Sequence, residues 1–199
     1  MTAESSAPFL FASTNAGKCA EVCGYSSLLG VSIVMPFDVV SFIADGMPTV
    51  VETEADYEGN AAKKARSFAR WSGLPTLADD TGLEIEVLGG LPGLFTGRWG
   101  VGRVRETLGS GFSGPAQFAC CMAYAEPSGR LVSVTARVPG VFSLKVEGAV
   151  QPNPSLPFSA FFIPKGYSLP LSVLIEQGEL VSHRFLALRT LLSVIRERP

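Results

Sequence analysis

The sequence predicts an α/β fold built on a mixed β-sheet, and three observations predict it. Helical and strand patterns alternate through the first half of the chain, and strand patterns pair in the second half. The composition is that of a packed chain, with 47% apolar and 17% charged residues. At 199 residues the chain fits one domain with an ample core, or two small lobes sharing a sheet. No repeat or linker divides it, so residues 1–199 are read as a single domain. Its first eight residues, small and polar, are expected to fray.

The elements follow in order. Residues 9–13 read as a buried strand running into the turn Thr14-Asn15-Ala16-Gly17, with a helix over 18–29. Residues 31–34 form a second short strand, and 37–56 are loop-rich, with Gly46, Pro48 and several acids. A helix spans 57–71, where Asn60, Ala61, Lys64, Ala65 and Phe68 recur at three- and four-residue steps. Gly73-Leu74-Pro75 ends it. A strand begins at 76–78, Asp79-Asp80-Thr81-Gly82 reads as a turn, and 83–87 reads as another strand. Residues 88–93 make a punctuated loop. Strands over 118–125 and 131–138 pair across the turn Glu126-Pro127-Ser128-Gly129, and a helix over 182–196 closes the fold.

Charge and composition exclude several functions. A net charge of −2 offers no surface for a polyanion, so nucleic acid is not an expected partner. No run reaches the roughly 18 apolar residues of a membrane span, and no basic segment precedes a signal-like apolar core. A soluble, cytoplasmic protein is expected. Of the four cysteines, Cys120 and Cys121 lie in an apolar run, where thiols are ordinary packing. Cys19 and Cys23, with a single His in the chain, do not make a zinc pattern.

Four segments can carry chemistry. Ser13-Thr14-Asn15-Ala16-Gly17-Lys18 joins a strand to a helix, where free backbone N–H groups favour an anion. Lys18 adds a mobile charge, and Ser13 and Asn15 add donors. The segment is nearly a P-loop, but Ala12 replaces the first Gly and Cys19 the metal-binding Ser/Thr. The acids Glu52, Glu54, Asp56 and Glu58 precede Asn60 and Lys64, which share one helix face; Glu54 and Asp56 read as solvated. Asp79-Asp80 end an apolar strand, where sheets of this class place ligands, and alternation turns only one of the pair toward a site. Ser182-His183-Arg184 opens the last helix. Adjacent residues point apart, so a Ser–His dyad is excluded, while His183 and Arg184 can donate to a ligand carbonyl.

In order and spacing these segments resemble the inosine triphosphate pyrophosphatase family. The resemblance rests on Asn60-Ala61-Ala62-Lys63-Lys64-Ala65, Gly73-Leu74-Pro75, Leu77-Ala78-Asp79-Asp80-Thr81-Gly82-Leu83-Glu84 and Leu88-Gly89-Gly90-Leu91-Pro92-Gly93. Ser13-x-Asn15-x-x-Lys18 and Ser182-His183-Arg184 extend it from about Phe9 to Leu192. It implies an elongated mixed-sheet α/β structure, two lobes around a nucleotide cleft, usually dimeric. It also implies magnesium-dependent hydrolysis of (d)ITP- and XTP-type triphosphates to monophosphate and pyrophosphate. Ser13, Asn15 and Lys18 match the phosphate-binding turn, with Thr81 beside the acids on the substrate side. Lys64 matches a lysine that meets the triphosphate. Glu52 and Asp80 match the Mg2+-binding carboxylates, with Asp80 as the base for the attacking water. His183 and Arg184 match residues that read the purine 6-oxo group.

Three departures fall on the base-reading side. Where the family has Gly-Phe-Gly-Tyr-Asp-Pro, this chain has Ser155-Leu156-Pro157-Phe158-Ser159-Ala160. Without gaps, Leu156 takes the place of the base-stacking Phe and Ser159 that of the Asp; Phe158 is the candidate replacement ring. Gly178 stands where the family tends to have Lys, and residues 141–153 make a longer stretch than usual. The expectation is that phosphate chemistry survives while base selection is relaxed or redirected. A nucleotide-binding module without catalysis is the alternative.

Overall fold

The computed structural model describes residues 7–145 and 153–197. The fraying expected of the first residues and the longer 141–153 stretch fall mostly outside the described residues. The strands are β1 (Phe9–Phe11), β2 (Ile33–Val34), β3 (Thr76–Ile85), β4 (Pro92–Gly93), β5 (Ser113–Ala125), β6 (Leu131–Ser143) and β7 (Phe162–Pro164). The helices are α1 (Ala16–Leu29), α2 (Pro36–Val39), α3 (Tyr57–Ser72), α4 (Thr96–Leu108), α5 (Leu171–Glu176) and α6 (His183–Glu197). One mixed sheet runs β2-β1-β3-β5-β6-β7, with β4 also pairing β3. The α/β class and the mixed sheet with flanking helices are as the sequence implies.

Local chemistry accounts for the boundaries. Asn15 caps α1 by accepting from the Lys18 backbone N–H at 3.0 Å, and Asp56 caps α3 by accepting from Gly59 N–H at 2.7 Å. Gly30 and Gly73 end these helices in the left-handed region that glycine tolerates. The apolar face of α3, with Ala61, Ala65, Phe68 and Ala69, is fully or nearly buried against Leu10, Ala78, Cys121 and Ala123. On the other face of the sheet, α1 and α6 cover Leu77, Cys120 and Met122. Further along that face Leu83, Phe118, Phe142 and Phe162 form a third cluster with Val104, Phe158 and Leu171. Cys120 and Cys121 are wholly buried packing, and all four thiols are free.

Two readings need correction. Asp79-Asp80-Thr81-Gly82 is not a turn between two strands; β3 runs unbroken from Thr76 to Ile85. Ten consecutive residues pair antiparallel with β5, and that ladder overrides the turn preference of the local sequence. Gly82 serves a different need: a Cβ there would lie 2.3 Å from both Gly93 O and the Tyr57 hydroxyl. The β5–β6 pair is also longer than expected, 113–125 with 131–143. The pattern reading passed over α4, α5 and the 3-10 turns at Val40–Phe42 and Pro157–Phe161.

The topology leaves a gap at the centre. Along one edge β3 pairs β5 throughout. Along the other, β1 covers Thr76 and Leu77, and β4 covers Leu83 and Glu84. Residues 78–82 have no strand partner on that side. Here side chains from both faces of β3 can reach one space.

Candidate functional site

A cavity of about 360 Å³ opens at this bare stretch, within the size range of small-molecule sites. Asn15, Lys18, Glu52, Asp80, Thr81 and Arg184 are among the side chains that line it. Most come from segments singled out in the sequence, and the interrupted edge of β3 explains why they meet.

The first wall is the turn at the end of β1. The Ser13 hydroxyl accepts from Asn15 N–H at 3.2 Å, and the Asn15 amide donates to Ser155 O at 3.0 Å. Gly17 is buried beneath Leu156: a Cβ there would lie 2.7 Å from Leu156 Cγ. Residues 155 and 156 are therefore seated on the start of α1, and any side chain at position 17 would displace them.

Asp79 faces α1 and α6 and is 1% exposed. Its Oδ2 receives Lys18 Nζ at 3.0 Å, Arg184 Nε at 3.1 Å and the Thr81 hydroxyl at 2.8 Å. Arg184 Nη1 also pairs with Glu21 Oε2. Burial works against a charge on Asp79, but Lys18, Arg184 and Lys64 outweigh it and hold its pKa far below the carboxylate range. Burial likewise opposes the Arg184 charge, which Glu21 and Asp79 more than restore, so its pKa is raised. His183 is buried and stacks on Phe118, with ring centroids 4.5 Å apart and planes at 14°. Burial, reinforced by the Arg184 charge, holds its pKa well below the usual value, so the ring is neutral. Its Nδ1 has no partner among the described residues. The Ser182 hydroxyl caps α6, accepting from Arg184 and Phe185 N–H.

Asp80 faces α3. Its Oδ2 accepts from the Asn60 amide at 3.0 Å and its Oδ1 from Thr81 N–H at 2.9 Å. Burial raises its pKa, against the pull of Lys64 and Asn60. Lys64 pairs with Glu52 Oε1. Its burial disfavours charge, but Asp79 and Glu52 reverse the balance and its pKa is raised. Arg98 donates to Glu52 O at 3.1 Å, fixing that loop across the cavity mouth.

Every predicted site residue except Ser13 and Lys64 directly lines the cavity, and those two touch residues that do. His183 and Arg184 are buried, not on an exposed helix start. Phe158 lines the cavity too, but its ring is 4% exposed and lies 6.1 Å from Phe142 within the core. Three participants were missed. Glu21 sits three residues after Lys18 on one helix face, a spacing that offered a signal. Asn60 was placed on the Lys64 face without a partner. Alternation leaves one of the Asp79-Asp80 pair without a role, and the structure gives Asp79 one as the partner of Lys18, Thr81 and Arg184.

The donor set suits a hard divalent cation. Among the described residues no cluster of three or more His, Cys, Asp or Glu side chains could hold a metal alone. Glu52 and Asp80 do line the same cavity, and magnesium is commonly held by one or two carboxylates together with substrate phosphates.

Residues 9–194 match the model of the Ham1 family. A dITP/XTP pyrophosphatase of Gluconobacter oxydans is 32% identical over 92% of this chain and 88% of its own. Another, of Streptomyces avermitilis, is also 32% identical, over 94% and 96%. A HAM1 protein from Coxiella burnetii superposes with a TM-score of 0.74 at 26% identity, covering 96% of this chain and all of that one. The Staphylococcus aureus Ham1 protein shares the fold with the same score and coverage at 22% identity.

Proposed function

The chain belongs to the Ham1 family, and from that premise we propose that it is a nucleoside triphosphate pyrophosphatase. Its substrates in this reading are (d)ITP- and XTP-type purine nucleotides, cut to monophosphate and pyrophosphate so that they leave the nucleotide pool. One observation carries the proposal. The interrupted edge of β3 gathers an anion-binding turn, the Glu52 and Asp80 carboxylates and a polar-group-bearing helix start around one cavity.

The residues divide the work. Asn15, Ser13 and the start of α1 offer N–H and hydroxyl groups to phosphate oxygens, with Lys18 and Lys64 as cations. Asp80 takes the proton of a water that attacks the α-phosphorus, and the α–β bridging oxygen leaves with pyrophosphate. Burial raises the Asp80 carboxyl pKa in the metal-free site, a direction that favours proton acceptance. The Asn60 amide holds Asp80 Oδ2 in place, so orientation is set before substrate arrives. A magnesium ion on Glu52 and Asp80 would neutralise phosphate charge and orient the reacting groups. Neutral His183, with a free ring nitrogen, and Arg184 lie on the base side and face a 6-oxo purine edge.

The same reading takes the protein as one domain of two lobes, a homodimer, acting in the cytoplasm. No helix of the described residues is long and apolar enough to cross a membrane. The decisive measurement is magnesium-dependent pyrophosphate release from inosine, xanthosine and the standard triphosphates in ribo and deoxy forms. Fast release confined to inosine and xanthosine nucleotides, abolished by Asp80→Asn, is expected. Release with another base preference would keep the reaction and replace the substrate. No release from any of them would leave a binding module without catalysis.

A further inference from the structure

A second cavity of about 410 Å³ lies between α1 and α5 and serves no step of the reaction above. Glu21, Leu156 and Ser159 line both cavities, so it adjoins the nucleotide cleft. Tyr25 and Ser172 line it as well, 6% and 9% exposed. The Ser172 hydroxyl has no hydrogen-bond partner among the described residues, and the Tyr25 hydroxyl has only the Ser182 side chain near it. A buried hydroxyl without a partner is unfavourable, and Ser172 brings one to this cavity.

The unpaired charge around them is negative. Glu21 stands in the wall, paired with buried Arg184, and Glu176 and Glu179 are exposed at the rim; among the described residues no Lys or Arg lines the cavity. Leu28, Ile175 and Leu180 supply apolar surface. An anion would meet the Glu176 and Glu179 carboxylates, and a wholly apolar molecule would leave the Ser172 hydroxyl unsatisfied. An amine on an apolar stem meets neither penalty, because it donates to the hydroxyls and is attracted by the carboxylates.

We propose that this cavity binds an amino or ammonium group on an apolar stem, recognised by Ser172, Tyr25 and the carboxylates around them. The group has two possible sources. One is a free aliphatic amine; the other is an amine-bearing substituent on the base of a nucleotide in the adjoining cleft. Only the second rests on the reading of the cleft as a nucleotide site.

Isothermal titration of the full chain tests both. In one arm diaminobutane is compared with butanediol; in the other, an aminohexyl adenine monophosphate is compared with its N-acetylated form. At least one amine should bind roughly tenfold more tightly than its neutral counterpart, the gain of about one charge-assisted hydrogen bond. Ser172→Ala with Glu176→Gln should abolish that gain while leaving the melting temperature and pyrophosphate release unchanged. A gain for diaminobutane assigns the site to a free amine, and a gain for the aminohexyl nucleotide alone assigns it to the base. If neither amine outbinds its neutral counterpart, or the gain persists in the double variant, the proposal is overturned. Amine binding in a protein that releases no pyrophosphate would leave the cavity assigned and overturn the reaction instead.

Discussion

Asp79 and Asp80 are neighbours in sequence and opposites in environment. Strand alternation sends Asp79 to the α1–α6 face, where three donors converge on a single oxygen. Asp80 is sent to the α3 face, where it meets one neutral amide and a backbone N–H. The first is locked as an anion; the second is held in position with a raised pKa and with Lys64 already engaged by Glu52. Two identical side chains thus divide into a locked anion and a carboxyl with a raised pKa, and the surroundings alone decide which is which; the proposed division into anchor and proton acceptor rests on that contrast.

The contrast can be broken from either side. Asp80→Asn should lower kcat by about two to four orders of magnitude, the usual worth of a general base, with little change in melting temperature. Asp79→Asn should instead cost stability, up to about 3–5 kcal/mol, because it removes one of the two carboxylates that neutralise buried Arg184 and leaves Glu21 alone; denaturant unfolding measures it. If Asp79→Asn left stability intact and only slowed the reaction, the division of roles would be reversed.

Titration sharpens the comparison. In the metal-free protein the Asp80 carboxyl, its pKa raised by burial, should titrate at a higher pH than an ordinary aspartate, which its carboxyl NMR shift reads out. Asp79 has the opposite sign. Its folded pKa is depressed, so its stabilisation is full above the unfolded value of about 3.9 and is lost only as pH falls from there toward the folded value. Stability of the Asp79→Asn variant relative to the parent should therefore converge only in strong acid. The smallest effect belongs to the exposed Lys63–Glu54 pair, with side chains 40% and 44% exposed. Glu54→Gln should change stability by less than about 1 kcal/mol and leave turnover unchanged, which would separate the solvated acids of this loop from Glu52.

The legible parts of this site are those set by short spacings. Asn60 and Lys64 four apart on a helix, and Asn15 three before Lys18 at a helix start, carry their geometry in the chain itself. Arg184 does not, because its partners lie 105 and 163 residues away. No local pattern says that an arginine at a helix start will be 1% exposed. The misread turn has the same cause: Asp-Asp-Thr-Gly favours a turn locally, and the β5 ladder decides otherwise from a distance. In α4, Gly97, Gly100 and Gly102 dilute the helical pattern, and Gly100 breaks the helix with φ 64°. Pro157–Phe161 and α5 are too short for periodicity to reveal.

The unpaired stretch of β3 also bears on how the protein avoids pairing its strand edge with other chains. Open strand edges recruit other chains, and the usual defences are charge, brevity and cover. Here 78–82 is flanked by β1 and β4, which block an incoming strand at both ends. It carries two acidic side chains, and Tyr57 and Gly93 crowd Gly82. Lengthening the gap, for instance by weakening β4 through Thr96, which bonds both Leu83 N–H and Gly93 O, would turn a binding cleft into a template for aggregation.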